Sequence, residues 1–124
     1  MSEISCDVIV IGAGPAGEVA AGRLADGGLE VVVVENHLVA GECSYYACMP
    51  SKALLRPGDL IDEARRIPGV KEAVTGDIDV ASALARRDEV IHNLDDSVQL
   101  PWLDDKGIQL VRGSGRLTGE KTVS

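Results

Sequence analysis

Residues 6–35 read CDVIVIGAGPAGEVAAGRLADGGLEVVVVE, and this stretch decides the fold. The aliphatic run Cys6–Ile11 stops at a glycine, which is typical of a strand buried on both faces of a parallel sheet. Good helix formers fill Pro15–Ala25, and a second aliphatic run follows at Glu30–Glu35. The apolar stripe of the predicted helix comprises Ala16, Val19, Ala20 and Leu24. The stretch therefore predicts a βαβ unit whose strands pair in parallel through a right-handed crossover.

The turn between the first strand and the helix carries the pattern G-x-G-x-x-G at Gly12, Gly14 and Gly17, with Pro15 and Ala16 among the intervening residues. In a dinucleotide-binding turn the first glycine permits the bend, the second admits a pyrophosphate and the third lets helix and strand pack closely. Glu35 ends the second strand, where a carboxylate accepts hydrogen bonds from a ribose diol and repels a 2′-phosphate. The motif indicates an unphosphorylated adenosine ligand, which FAD and NAD share.

The rest of the chain continues an α/β pattern. We expect helix over much of the segment after residue 41, with a break or kink at Pro57-Gly58 and an end at Pro68-Gly69. A third helix should run from an N-cap at Asp79 or Asp77 to about Leu100. Residues 101–107 then form a turn, and Ile108–Val111 form a third strand. Arg116–Ser124 has no stop signal of its own. A sheet of three strands would leave apolar strand edges unpaired, so we expect a Rossmann-like parallel sheet that is incomplete, as in a fragment.

Composition excludes several classes of function. The 124 residues carry a net charge of −8, and they include no Phe, two Tyr and one Trp. This composition disfavours nucleic acid, which needs basic surfaces or aromatic platforms, and no aliphatic run is long enough to cross a membrane. The chain starts without a basic or apolar leader, so we expect a cytoplasmic protein.

Three cysteines do not make the even framework of a secreted disulfide scaffold. Cys43 and Cys48 have poor spacing for zinc, and their Cα atoms would lie roughly 8 to 9 Å apart in an ideal helix, beyond the reach of a disulfide. If the two pair, the helix start must be distorted, which suits an accessible redox centre; otherwise they are two unrelated buried thiols. Cys6, in the first strand, is expected to be an inert core thiol.

The combination of GAGPAG, Glu35 and GECSYYACMPSK resembles the N-terminal FAD-binding part of the pyridine nucleotide-disulfide oxidoreductases, which include dihydrolipoamide dehydrogenase, glutathione reductase and mercuric reductase. The resemblance implies that Cys43 and Cys48 form the redox-active disulfide, with Cys43 meeting the substrate and Cys48 the flavin. The other residues that it places near FAD are Gly41, Glu42, Lys52, Gly113, Ser114 and Gly115. The chain departs from the commonest family pattern at Ala40, Glu42, Tyr45 and Ala47.

The resemblance also implies a route for electrons in the parent protein, from NAD(P)H through FAD and the disulfide to dihydrolipoamide/lipoamide, another disulfide or a metal ion. The parent would be a homodimer acting on a disulfide or other small molecule. This chain shows neither a second glycine motif nor the His-Glu pair of the family, so residues 1–124 are expected to be the N-terminal part of an FAD/NAD(P)-binding domain, without its NAD(P) and dimer-interface domains. The alternatives are a non-catalytic nucleotide-binding module and an NAD-dependent dehydrogenase domain with incidental cysteines.

Overall fold

The structure is a computed structural model that describes residues 3–124. The chain divides into two compact units. The sheet unit comprises Met1–Cys43 and Asp95–Ser124, described from Glu3 onward, and the helical unit comprises Ser44–Leu94. Met1 and Ser2, on which the cytoplasmic expectation partly rests, lie outside the described residues. No helix within residues 3–124 has both the length and the apolar character to span a membrane.

The sheet unit is built on a parallel sheet of three strands, β1 (Val8–Ile11), β2 (Val31–Glu35) and β3 (Gln109–Arg112), in the order β1-β2-β3. This confirms the predicted α/β fold and its parallel pairing. The expectation that the first strand is buried on both faces is wrong. β1 is an edge strand of partly exposed residues, whereas the central β2 supplies the buried row.

Cys6 precedes β1 and is only partly buried, so its predicted place inside a core strand is also wrong. Its Sγ lies 3.5 Å from the carbonyl oxygen of Val8. The local turn that allows this contact moves the thiol out of the alternating strand pattern.

Helix α1 (Pro15–Asp26) follows the glycine turn and ends at Gly27. Only part of the predicted stripe faces the core, because Leu24 packs against it whereas Val19 is 55% exposed, and the buried residues of the helix are Ala21 and Gly22. Small residues on this side let the helix approach its neighbours closely. A Cβ on Gly22, for example, would lie 3.0 Å from the ring of Trp102. Small residues together with Leu24, rather than the whole predicted stripe, therefore define the packed face.

Two elements near the C-terminus depart from expectation. Helix α4 (Leu100–Asp105) occupies most of the region predicted as a turn, with Leu103 buried in the core. The segment that gave no signal forms an antiparallel hairpin of β4 (Leu117–Gly119) and β5 (Thr122–Val123). The hairpin escaped prediction because Lys121 takes a left-handed conformation, with φ 54°, without the Asn-Gly or Asp-Gly sequence that marks such turns.

The helical unit contains α2 (Cys48–Arg66) and α3 (Val80–Val90), with a 3-10 turn at Lys71–Ala73 between them. The predicted break at Pro57-Gly58 does not occur, since α2 runs through both residues, and a kink there stays a prediction. A proline removes one backbone donor, and the helix continues past that loss although Gly58 is also a poor helix former. Asp79 is the N-cap of α3, as predicted, and its carboxylate accepts a hydrogen bond from the Ser82 amide at 3.2 Å.

The prediction that the third helix reaches Leu100 is wrong, because α3 ends at Val90. His92, Asn93 and Leu94 follow in left-handed conformations, with φ between 50° and 64°. Beyond them the Asp95 carboxylate accepts a hydrogen bond from the Ser97 amide at 2.9 Å. Asp side chains that bond nearby backbone groups compete with helix formation, and here they favour the 3-10 turn Asp96–Gln99 over a continued helix.

Candidate functional site

The glycine turn begins where β1 ends. Gly12 has a φ of 97°, a conformation that glycine adopts readily and other residues rarely do. Its amide donates a hydrogen bond to the carbonyl oxygen of Val34 at 2.8 Å, which ties the turn to the end of β2. The first glycine of the motif therefore has the backbone role that the sequence predicts.

Gly17 and Gly14 differ in what surrounds them. A Cβ on Gly17 would lie 1.9 Å from the carbonyl oxygen of Gly12, so helix and turn pack too closely for any side chain. A Cβ on Gly14 would meet no atom of the described chain within 4 Å, and its φ of −74° suits any residue. The fold itself does not require glycine at position 14. The open space there is a cradle that a side chain would fill.

The same space faces the start of α1. Pro15 is the first residue of the helix, and no side chain within residues 3–124 caps its N-terminus. The first amides of a helix lack partners within the helix and lie at its positively polarised end. Together with the open cradle at Gly14, this end of α1 has the donors and the room that a pyrophosphate needs. Pro15 and Ala16 are themselves exposed.

Glu35 lies at the end of β2 and is only 8% exposed. One carboxylate oxygen accepts a hydrogen bond from the amide of Ala13 at 2.7 Å, and the other accepts one from the amide of His37 at 2.7 Å. The side chain thus joins the glycine turn to the loop after β2, a role that the sequence did not predict. Each carboxylate oxygen has two lone pairs, so capacity remains for the hydroxyl groups of a ribose.

Residues 113–115 meet this edge from the third strand. Glu35 and Arg112 are register partners, and the Gly113 amide donates to the carbonyl oxygen of Glu35 at 2.9 Å. A Cβ on Gly115 would lie 3.2 Å from a methyl group of Val34, so packing explains this glycine. Gly113 and Ser114 are exposed. The structure therefore brings the glycine turn, Glu35 and residues 113–115 together at the carboxyl edge of the sheet.

The cysteine segment follows a different local geometry. Residues Glu42–Tyr46 form a π-helical turn, Ala47 interrupts it with φ −127° and ψ −77°, and α2 starts at Cys48. An undistorted helix does not run from Cys43 to Cys48. The two thiols are each partly buried. Their pairing remains a prediction.

The remaining predicted residues lie around this segment. Gly41 is buried, and a Cβ there would meet no described atom within 4 Å. Glu42 is exposed at the start of the π-helical turn, and Lys52 is exposed in the first turns of α2. Ala40, one of the departures from the family pattern, is 2% exposed and has a φ of 68°, in the left-handed region that favours glycine.

Sequence reasoning missed one ion pair beside the Glu35 site. The Asp96 carboxylate lies 2.7 Å from Nη1 of Arg112 and accepts a hydrogen bond from the Val39 amide at 2.7 Å. Nη1 of Arg112 also donates to the carbonyl oxygen of His37 at 2.8 Å. Burial alone would raise the pKa of Asp96, but the bonds from Arg112 and Val39 outweigh it and hold that pKa below its ordinary value. No local pattern could reveal this pair, because its partners lie far apart in sequence.

The sequence matches the pyridine nucleotide-disulphide oxidoreductase family over residues 6–124. The chain belongs to this family, whose members of this kind depend on FAD and use NAD(P)H as co-substrate. It is 38% identical over 122 residues to dihydrolipoyl dehydrogenase 3 of Pseudomonas aeruginosa, covering 96% of this chain and 26% of that protein. It is 27% identical over 124 residues to a mercuric reductase of Lysinibacillus sphaericus, covering 99% of this chain and 23% of that protein.

A solved structure supports the fold. The chain superposes on the HOCl-induced flavoprotein disulfide reductase RclA from Escherichia coli, described as its Cu(II) complex, with a TM-score of 0.70 and 24% identity. The superposition covers 93% of this chain and 23% of that structure. The chain spans about a quarter of the length of the relatives that it matches.

Proposed function

We propose that this chain binds the ADP half of FAD and carries the redox-active cysteine pair of a flavin-dependent disulfide oxidoreductase. The observation that carries the proposal is the glycine at position 14. Neither its backbone angles nor its neighbours within the described chain require glycine, yet it faces the uncapped start of α1. A pyrophosphate in that cradle accounts for the missing side chain.

Each residue of the site has a defined part in holding the cofactor. Gly12 and Gly17 shape the turn, and the first amides of α1 donate to phosphate oxygens. Glu35 accepts from the ribose hydroxyl groups while it fixes the Ala13 amide in place. When bound, FAD supplies the two-electron chemistry that links NAD(P)H to the cysteine pair.

The cysteine pair performs the thiol chemistry of the proposal. The thiolate of Cys43 attacks one sulfur of a substrate disulfide and forms a mixed disulfide, and the other substrate sulfur leaves as a thiolate. Cys48 then attacks Cys43, which releases the second substrate thiolate and leaves a Cys43–Cys48 disulfide. The substrate gains two electrons and the cysteine pair loses two. Lipoamide or another disulfide fits this chemistry, and so does the same exchange run backwards with dihydrolipoamide.

The wider protein remains part of the proposal. We place this chain as the N-terminal part of an FAD/NAD(P)-binding domain in a homodimeric parent. The coverage of the relatives supports only the partial match, because the chain aligns with about a quarter of their length.

The test is a titration of the purified chain with FAD, followed by quenching of flavin fluorescence. Gly14→Ala should weaken binding at least tenfold with an unchanged melting temperature, because its new methyl group occupies the cradle but meets no described atom. Gly58→Ala is the matched control, since its Cβ would also meet no described atom within 4 Å and it lies in α2. Unchanged affinity in Gly14→Ala, or no FAD binding by the wild type, would contradict the proposal. Tighter binding of NAD than of FAD would favour the dehydrogenase alternative.

The thiol chemistry needs a separate measurement. After mild oxidation, intact mass should fall by two hydrogen atoms in the wild type but not in Cys43→Ser or Cys48→Ser. Cys6→Ser should behave like the wild type. Loss of the two hydrogen atoms in every variant, or in none, would show that Cys43 and Cys48 are not the redox pair.

A further inference from the structure

We infer that Asp96 and Arg112 are positioning residues for nucleotide binding, which they support by holding the loop after β2 against the glycine turn. We call residues 36–41 the β2 loop. The inference rests on the proposed function, because the nucleotide is the ADP half of FAD. Neither side chain is assigned a contact with the nucleotide; both act through the backbone that carries Glu35 and its partners.

Asp96 and Arg112 each form a hydrogen bond with the backbone of the β2 loop. Asp96 accepts from the Val39 amide at 2.7 Å, and Arg112 donates to the His37 carbonyl oxygen at 2.8 Å. The two side chains are joined to each other at 2.7 Å, so an acceptor and a donor that lie two residues apart in the loop are held by one charged unit. The Asp96 side chain is 13% exposed and the Arg112 side chain is 42% exposed, so the carboxylate is largely shielded from water while the guanidinium is not.

The loop in turn touches the glycine turn. The Ala40 amide donates to the Ala13 carbonyl oxygen at 2.7 Å, and the Ala13 amide donates to Glu35 at 2.7 Å. Both backbone groups of Ala13 are therefore fixed by the β2 loop or by the residue just before it. A shift of the loop would move Ala13, which lies between the two glycines that shape the phosphate cradle.

The loop needs such support because its conformation is strained. Ala40 adopts a φ of 68° while being 2% exposed. Non-glycine residues keep such angles only where the surrounding structure determines them. Val39 is fully buried, and its amide donates the hydrogen bond that Asp96 accepts. This hydrogen bond therefore holds the residue next to the strained Ala40.

The site is also placed for this role by the topology. Arg112 is the last residue of β3 and the register partner of Glu35, whereas Asp96 begins the 3-10 turn Asp96–Gln99. The pair thus connects the end of β3 and a turn from the second half of the chain to the end of β2. We call the Asp96–Arg112 pair the brace, because it connects these three segments at the same sheet edge where the nucleotide would lie.

The experiment measures ADP and FAD affinity of the full chain carrying Asp96→Asn, Arg112→Gln or Arg112→Lys, together with amide hydrogen exchange of Val39. Asp96→Asn and Arg112→Gln should weaken ADP binding about tenfold and speed exchange at Val39. Arg112→Lys keeps the charge and should recover most of the affinity. Lys106→Gln is the matched control, because it breaks the ion pair with Asp26 at the far end of α1, and it should leave affinity within twofold of the wild type.

The outcomes distinguish a positioning role of Asp96 and Arg112 from a general effect on stability. They also distinguish failure of this inference from failure of the proposed function. A purely structural role would lower the melting temperature but leave the affinity of the folded protein unchanged, and that result would overturn the inference. If Asp96→Asn fails to fold, Arg112→Gln and Arg112→Lys decide by the same criteria. If the wild type binds neither ADP nor FAD, the proposed function fails. In that case amide exchange of Val39 tests only whether Asp96 and Arg112 hold the β2 loop. Unchanged protection of Val39 in the folded variants would overturn that role, and faster exchange would support it.

Discussion

The two units of the chain bury their residues in different ways. The sheet unit has a core cluster whose buried members are Ala13, Ala21, Val31, Val33, Val39, Leu103 and Ile108. The helical unit, within the described chain, buries only Tyr45, Pro50, Ala53 and Ile91. α3 has no buried residue at all, and Leu55 of α2 is 65% exposed. Burial therefore contributes more to the first unit, whereas α2 and α3 of the second unit contact each other but bury few side chains, so local helix formation has a larger share there.

The helical unit is stabilised by local interactions, namely a helix cap and an exposed ion pair, and each of them contributes little free energy. Asp79 caps α3 through Ser82, and Arg65 lies 3.6 Å from an exposed Asp77. A helix cap contributes about 1 kcal/mol and an exposed ion pair 0 to about 1 kcal/mol. A substitution should accordingly cost most where it disturbs the sheet unit.

The largest difference in stability between the two units is expected for a pair of glycine-to-alanine substitutions, one in each unit. Gly17→Ala should destabilise the chain by about 3 kcal/mol or prevent folding, since its Cβ would lie 1.9 Å from a backbone oxygen that cannot turn away. Gly58→Ala should stabilise it by about 0.5 to 1 kcal/mol, because alanine is the better helix former and meets no described atom within 4 Å. Urea unfolding measures both. Equal stability of the two variants would contradict the assignment of the packed contact.

A second pair tests the cores directly. Val33 is 1% exposed in the central strand, so Val33→Ala should cost about 2 to 3 kcal/mol through lost burial and a cavity. Leu55→Ala should stay within about 0.5 kcal/mol of the wild type. Thermal unfolding followed by circular dichroism gives both values. A larger cost at Leu55 would mean that α2 is covered in solution by something beyond the described contacts.

The sequence predicted those features that depend on local pattern. The glycine turn, the parallel pairing of β1 and β2 and the Asp79 cap follow from residue types at fixed spacings. Features that depend on distant partners escaped it. Examples are the bonds of Asp96 to Val39 and Arg112, and the close contacts of Gly17 and Gly22 on the packed face of α1.

The candidate site divides in the same way. Gly12, Gly17 and Glu35 have the places that their motif predicts, while the bonds from Glu35 to two backbone amides could be seen only in three dimensions. The π-helical turn at Glu42–Tyr46 had no sequence signal beyond the argument that a regular helix cannot bridge Cys43 and Cys48.

A smaller effect is expected at the strained residue of the β2 loop. Ala40→Gly should stabilise the chain by about 0.5 to 1 kcal/mol, because glycine adopts a φ of 68° without the steric cost of a Cβ. Denaturant unfolding of the variant and the wild type should show this gain. A loss of stability in that variant would mean that the alanine methyl contributes more packing than the backbone strain costs.

The smallest expected effect is the loss of stability in acid, which we compare for one carboxylate from each unit, Asp96 and Asp79. Burial alone would raise the pKa of Asp96, but the bonds from Arg112 and Val39 lower it overall. Hydrogen bonds from the Ser82 side chain and amide lower the pKa of Asp79. A group whose pKa is lower in the folded state stabilises the fold above its unfolded value of about 3.9, and that contribution is lost as the pH falls through the folded value.

Both carboxylates should therefore contribute to a loss of stability below about pH 3.9, and the substitutions should distinguish them. Asp79→Asn should keep its stability at neutral pH, because asparagine is an equally good N-cap, and should remove only its own share of the acid loss. Asp96→Asn should lose stability at neutral pH as well, since it leaves Arg112 without its charged partner. Unfolding measured between pH 2 and pH 7 separates the two patterns. Identical profiles for the variants would show that the Asp96–Arg112 pair of the sheet unit contributes no more stability than an exposed helix cap.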